Sequence, residues 1–98
     1  MSTVRKLNES ALRGIYDAYM HEAFPPAELK PLAVMLRLME RGRYLCYGYY
    51  RNGRLAAYAF FYRHDSRVLL LDYFAVTPEL RGRGVGSAFL AALDAVLG

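Results

Sequence analysis

From Tyr73 to Leu90 the chain reads Tyr-Phe-Ala-Val-Thr-Pro-Glu-Leu-Arg-Gly-Arg-Gly-Val-Gly-Ser-Ala-Phe-Leu, an apolar strand that runs through a glycine-rich bend into a helical pattern. Gly82, Gly84 and Gly86 carry no Cβ, so successive backbone N–H groups can converge on an anion without a clash. Val85, Phe89, Leu90, Leu93, Val96 and Leu97 then recur at helical spacing, which places the bend at a helix N-terminus. Unpaired amides and the positive end of the helix dipole favour a phosphate or pyrophosphate there, and Arg81 and Arg83 add formal charge.

Spacing selects among phosphate ligands. A nucleoside-triphosphate loop needs a Lys before its Ser or Thr, whereas Ser87 directly follows Gly86. A dinucleotide loop needs a glycine where Ser87 stands and an acidic residue about twenty residues on in a second parallel strand. Neither pattern fits. Arg81-x-x-Gly84-x-Gly86, preceded by Val76-x-Pro78, resembles the acetyl-CoA signature of the GNAT N-acetyltransferase superfamily, which reads Arg or Gln, two residues, Gly, one residue, then Gly or Ala. A tight strand-to-helix connection is the plainer reading of a glycine triplet. It leaves the arginine, the Val-x-Pro exit and the helical continuation as coincidences.

Composition narrows the classes. Ninety-eight residues, 55% hydrophobic and 14% aromatic, suffice for one small packed domain. No apolar run reaches the roughly 20 residues of a membrane span, and the first residues lack a signal-peptide core, so a cytoplasmic location and no membrane partner are expected. Cys46, the single cysteine, lies in Tyr-Leu-Cys-Tyr-Gly-Tyr-Tyr without a neighbouring base and reads as a buried, inert thiol. Net charge is +4, from eleven arginines and two lysines against nine acidic residues. The arginines are scattered and no nucleic-acid-binding motif appears, so no nucleic-acid partner is expected. His21 and His64 lack metal-ligand spacing, so no metal is expected.

Along the chain, residues 3–7 alternate as a strand, Asn8 and Ser10 offer N-caps, and Leu12, Ile15, Tyr16, Tyr19 and Met20 stripe a helix that runs to about Ala23, where Phe24-Pro25-Pro26 stops it. Pro31 opens a second helix that ends near Gly42. Residues 44–50, 55–62 and 68–76 have strand composition, with a type I′ turn at Asn52-Gly53 and a turn at His64-Asp65-Ser66. The order is β-α-α-β-β-β-α with no linker or repeat, a mixed α/β (α+β) domain.

That order resembles GNAT domains through their third helix, so the resemblance spans the whole chain. It implies a mainly antiparallel sheet flanked by helices, and one partial acetyltransferase domain over residues 1–98. It further implies transfer of an acetyl group from acetyl-CoA, the co-substrate, to a primary amine. Phe74, Ala75 and Val76 would hold the pantetheine arm as an added strand. The pyrophosphate would rest on Arg81, Gly82, Arg83, Gly84, Val85, Gly86 and Ser87. Asp72, a carboxylate on an otherwise apolar strand, is the candidate general base; its other reading is an ion pair with an arginine of a neighbouring strand such as Arg63. Phe24, Glu28 and Tyr73 are candidate acceptor contacts. Family members continue into a further strand and helix that normally supply the thiolate's proton donor, so a C-terminal half is expected to be absent here. The Leu90, Leu93, Leu97 face should then lack partners, which points to a homodimer or completion by another segment. A non-catalytic CoA-binding or assembly module is the alternative.

Overall fold

The computed structural model describes residues 1–98. Strand β1 (Ser2–Lys6) leads to helix α1 (Glu9–Ile15), whose N-cap is Asn8: its side chain accepts from the Ala11 N–H at 2.9 Å. The helix widens into a π-helical stretch, Tyr16–Met20, and closes with one turn, His21–Ala23. Phe24 stands in extended conformation (φ −132°, ψ 139°), as a residue before proline prefers. Helix α2 (Leu32–Glu40) follows Pro31, and Gly42 at φ +72° ends it, with the Arg43 N–H reaching back to the Leu38 carbonyl at 2.8 Å.

Strands β2 (Tyr44–Arg51), β3 (Arg54–Arg63) and β4 (Leu69–Val76) join β1 in one sheet of order β1-β2-β3-β4, with every pairing antiparallel. Positive φ at Asn52 (53°) and Gly53 (80°) matches the type I′ hairpin expected there. At the second hairpin, Asp65 Oδ1 accepts from the N–H groups of Arg67 and Val68 at 2.8 and 2.9 Å. Helix α3 (Val85–Leu97) completes the fold.

Each face of the sheet has its own core. Leu12, Met20, Met35, Tyr44, Cys46, Tyr58, Phe60 and Tyr73 pack under α1 and α2. Tyr47, Tyr49, Ala57, Ala59, Val85, Phe89 and Leu93 pack under α3. The alanines thin that face, and Phe89 sinks between Tyr49 and Phe74, its ring centroid 5.1 and 5.5 Å from theirs. Strand β3 is therefore buried on both sides, from Ala56 to Phe60.

One sequence expectation needs correction: Leu93 is buried against the sheet, since its helical phase matches Val85 and Phe89, while Leu90 (54%) and Leu97 (37%) are exposed as expected. No helix is long and apolar enough to cross a membrane.

Register positions the rest. Phe60 pairs with Tyr73 and Phe61 with Leu71, so Asp72 is an extra residue in β4, a β-bulge. Strict alternation would send Asp72 and Tyr73 to opposite faces. The bulge turns both toward α1 and α2.

Burial holds several acidic protons on tightly. The Cys46 thiol is pushed up from 9.0 to about 12, first by burial and then by Asp72. Tyr58 is pushed up from 10.0 to about 12, mainly by burial, and Tyr44 is raised by burial and by its bond to Asp72. Raised folded-state values favour the native protein fully below the unfolded values near 9 and 10, and that contribution is lost as pH rises toward 12. Melting temperature should hold up to about pH 9 and then fall steeply. Thermal melts across alkaline pH, with phenolate absorbance recorded in parallel, check this; titration of all tyrosines near pH 10 in the folded state would contradict it.

Candidate functional site

The bend between β4 and α3 is built from its backbone. Thr77 fastens its start: both its N–H and its hydroxyl donate to the Ala56 carbonyl, at 2.9 and 3.3 Å. A short 3₁₀ turn, Pro78–Leu80, follows. Gly82 and Gly84 then take φ of +77° and +76°, the left-handed region that costs other residues about 1–2 kcal/mol. The first bond of α3 runs from the Ala88 N–H to the Gly84 carbonyl at 3.2 Å, and no N–H from Gly82 to Ser87 donates to the chain. A continuous run of free amides thus sits at the positive end of a helix.

The glycines divide the work. Gly86 is not left-handed; a Cβ there would lie 3.6 Å from Val76 and 3.7 Å from Phe74, so its role is close approach of α3 to β4. Added Cβ atoms at Gly82 and Gly84 would meet nothing, and backbone conformation is what excludes side chains there.

The two arginines also differ. Arg81 is engaged: its Nη2 and Nη1 reach the Glu22 carboxylate at 2.9 and 3.4 Å, and its Nε donates to the Val76 carbonyl at 3.2 Å. It ties the loop to the end of α1's helical run. Arg83 is exposed and makes no ion pair. With Arg51 and Arg54 it borders a basin of about 440 Å³ beside the β2–β3 turn, where Glu79 partly offsets the charge.

Strand β4 is an edge. The Thr77 N–H points to β3, so the Val76 carbonyl of the same peptide unit points away from it. Alternation then turns the N–H groups of Phe74 and Val76 and the carbonyl of Phe74 outward, free to pair with an extended ligand.

At the other end of β4 the Asp72 carboxylate accepts a hydrogen bond from the Tyr44 hydroxyl and forms an ion pair with Lys30 Nζ at 3.0 Å. The alternative reading of Asp72, an ion pair with an arginine of a neighbouring strand such as Arg63, is met by a different cation: Lys30 comes from the loop before α2, because the bulge aims Asp72 at that loop. Tyr73 clamps the same loop. Its hydroxyl donates to the Glu28 carbonyl at 2.7 Å and accepts from the Lys30 N–H at 2.8 Å, while Tyr16 donates to the Lys30 carbonyl at 2.9 Å. Phe24 stands edge-on to Tyr73, with centroids 4.9 Å apart. Phe24, Glu28, Tyr73 and Asp72 therefore converge, with Tyr73 buried as a strut and the Glu28 side chain exposed.

Sequence reasoning missed Lys30, Tyr44, Tyr16 and Glu22, because only the fold brings them to these partners. It also missed Tyr58, whose hydroxyl is buried without a partner. No group of three or more His, Cys, Asp or Glu side chains could hold a metal ion.

Residues 10–97 match the sequence profile of the acetyltransferase (GNAT) family. Among curated proteins, none matches the chain. Of solved structures, the ribosomal-protein-S18-alanine N-acetyltransferase from Escherichia coli is similar at 26% identity and a TM-score of 0.70, over 95% of this chain and 57% of that one. A protein from Bacteroides thetaiotaomicron assigned to the GNAT family aligns at 19% identity and a TM-score of 0.78, over 93% and 53%. A predicted acetyltransferase from Clostridium acetobutylicum, solved with acetyl-CoA, aligns at 14% identity and a TM-score of 0.68, over 95% and 71%. The chain spans just over half the length of the first two.

Backbone strain and close packing predict different responses at the two glycines. Gly84→Ala should lower stability by about 1 kcal/mol, whereas Gly86→Ala should be nearly neutral because its methyl group makes ordinary contacts. Urea melts of the two variants test the contrast.

Proposed function

We infer function from one premise: the chain belongs to the acetyltransferase (GNAT) family. On that premise the protein carries acetyl-CoA as co-substrate and passes its acetyl group to a primary amine. One observation supports the reading above all: the free amides from Gly82 to Ser87 lie next to the unpaired edge of β4, so a pyrophosphate and an extended amide-bearing arm can bind end to end.

The residues divide into three tasks. Backbone N–H groups of Gly82, Gly84, Val85, Gly86 and Ser87 take the pyrophosphate, with Arg83 adding charge and Arg81 bracing the loop through Glu22 and Val76. The outward groups of Phe74 and Val76 pair with the pantetheine arm, and an outward N–H polarises the thioester oxygen. Phe24, Glu28 and Tyr73 shape the acceptor side. The amine nitrogen forms the new C–N bond, the C–S bond breaks, and the sulfur leaves with the electron pair. Asp72 accepts the proton that the amine gives up.

Calorimetry with acetyl-CoA tests the loop. Gly84→Val should weaken binding more than Arg83→Ala, because a displaced backbone removes several donors and one arginine removes a single charge. Equal or reversed effects would count against an amide cradle. A thiol-release assay over a panel of amines tests turnover: Asp72→Asn, which keeps an acceptor for Tyr44, should lower kcat about 100-fold or more with acetyl-CoA affinity preserved. Acetyl-CoA binding with no turnover on any amine would favour a CoA-holding module instead.

A further inference from the structure

The carboxylate proposed to receive the amine already holds one. Lys30 Nζ lies 3.0 Å from Asp72 Oδ2 and 6.0 Å from the centre of the Tyr73 ring, so carboxylate and aromatic face together form an ammonium site. The Tyr44 hydroxyl bonds the same carboxylate oxygen and fixes it from the sheet side.

Lys30 is held so that its side chain can leave alone. Its N–H and carbonyl are fastened by Tyr73 and Tyr16, contacts that do not involve the ammonium. The side chains of Lys30 and Asp72 keep 34% and 25% of their exposure, so water reaches the pair. Ion pairs open to water are weakly held, and an external ammonium making the same contacts can replace this one.

We propose that Lys30 is a built-in competitor for the acceptor's place: its ammonium fills the Asp72 site in the resting protein, and a primary ammonium compound enters by displacing it. The inference rests on the acetyltransferase reading for its biological meaning and names the substrate class, a primary alkylammonium that can donate N–H bonds. Apparent affinity for an external amine is reduced by the fraction of time Lys30 occupies the site.

Ethylammonium chloride serves as the probe, titrated into the full chain at constant ionic strength while amide and tyrosine-ring NMR signals of Tyr44, Asp72 and Tyr73 are followed. Lys30→Met keeps the aliphatic stem and removes the charge. It should bind ethylammonium at least about fivefold more tightly than the unaltered protein, the factor expected for loss of an internal occupant present about four-fifths of the time. Asp72→Asn should abolish the response in both backgrounds, and tetramethylammonium, which has no N–H, should bind far more weakly. Lys30→Gln serves as the second variant, and unchanged Phe24 and Glu28 amide shifts in either variant show that the loop is intact. Equal affinities with and without the Lys30 ammonium, binding that survives Asp72→Asn, or equal binding of tetramethylammonium would overturn the proposal. Acetyl-CoA calorimetry separates the two levels: acetyl-CoA binding without ethylammonium exchange defeats only the competitor, whereas exchange without acetyl-CoA binding defeats the acetyltransferase reading.

Discussion

One extra residue in β4 sets the arrangement of the site. The bulge at Asp72 lets two consecutive side chains face α1 and α2, and the strand then resumes alternation so that Phe74 and Val76 face α3. Asp72 meets Tyr44 and Lys30; Tyr73 meets Glu28 and Lys30. Without the bulge, alternation would turn Asp72 to the other face of the sheet, away from Tyr44 and Lys30. The free outward groups of β4 begin just past it.

The loop after β4 rests on a different economy. Its donors are main-chain amides, which keep their place without ordering long side chains, and two left-handed glycines give the backbone its path. The neighbouring arginine braces that path, three of its five N–H donors going to Glu22 and the Val76 carbonyl. Loop shape is thereby coupled to the π-helical run that ends at Met20, because Glu22 lies in the turn directly after it.

Local patterns in the chain carried much of this. Asn52-Gly53, the Asn8 cap, the glycine spacing and the strand composition each act over a few residues, so hairpin, helix start, loop and element order were all legible. What was not legible depends on register. No local signal distinguishes a bulge at Asp72 from plain alternation, and so the cation on Asp72 is Lys30 from a distant loop and not an arginine of a neighbouring strand such as Arg63. Leu93 shares the helical phase of Val85 and Phe89, and it is the docking of α3 on the alanine-thinned face that makes this phase the buried one. Family resemblance located the loop and strand; it did not reveal that Tyr73 is a strut or that Arg81 is already engaged.

The two cores lie on opposite faces of one sheet and share few side chains, Tyr58 and Phe60 facing one way, Ala57 and Ala59 the other. Substitutions in the loop from Phe24 to Lys30 can therefore be absorbed by the aromatic face without disturbing the alanine face on which α3 and its amides rest. Such a sheet works as a partition. A change on one side has two routes to the other: the strands whose side chains enter both cores, β2, β3 and β4, and the Arg81–Glu22 pair that joins the loop to the end of α1's helical run.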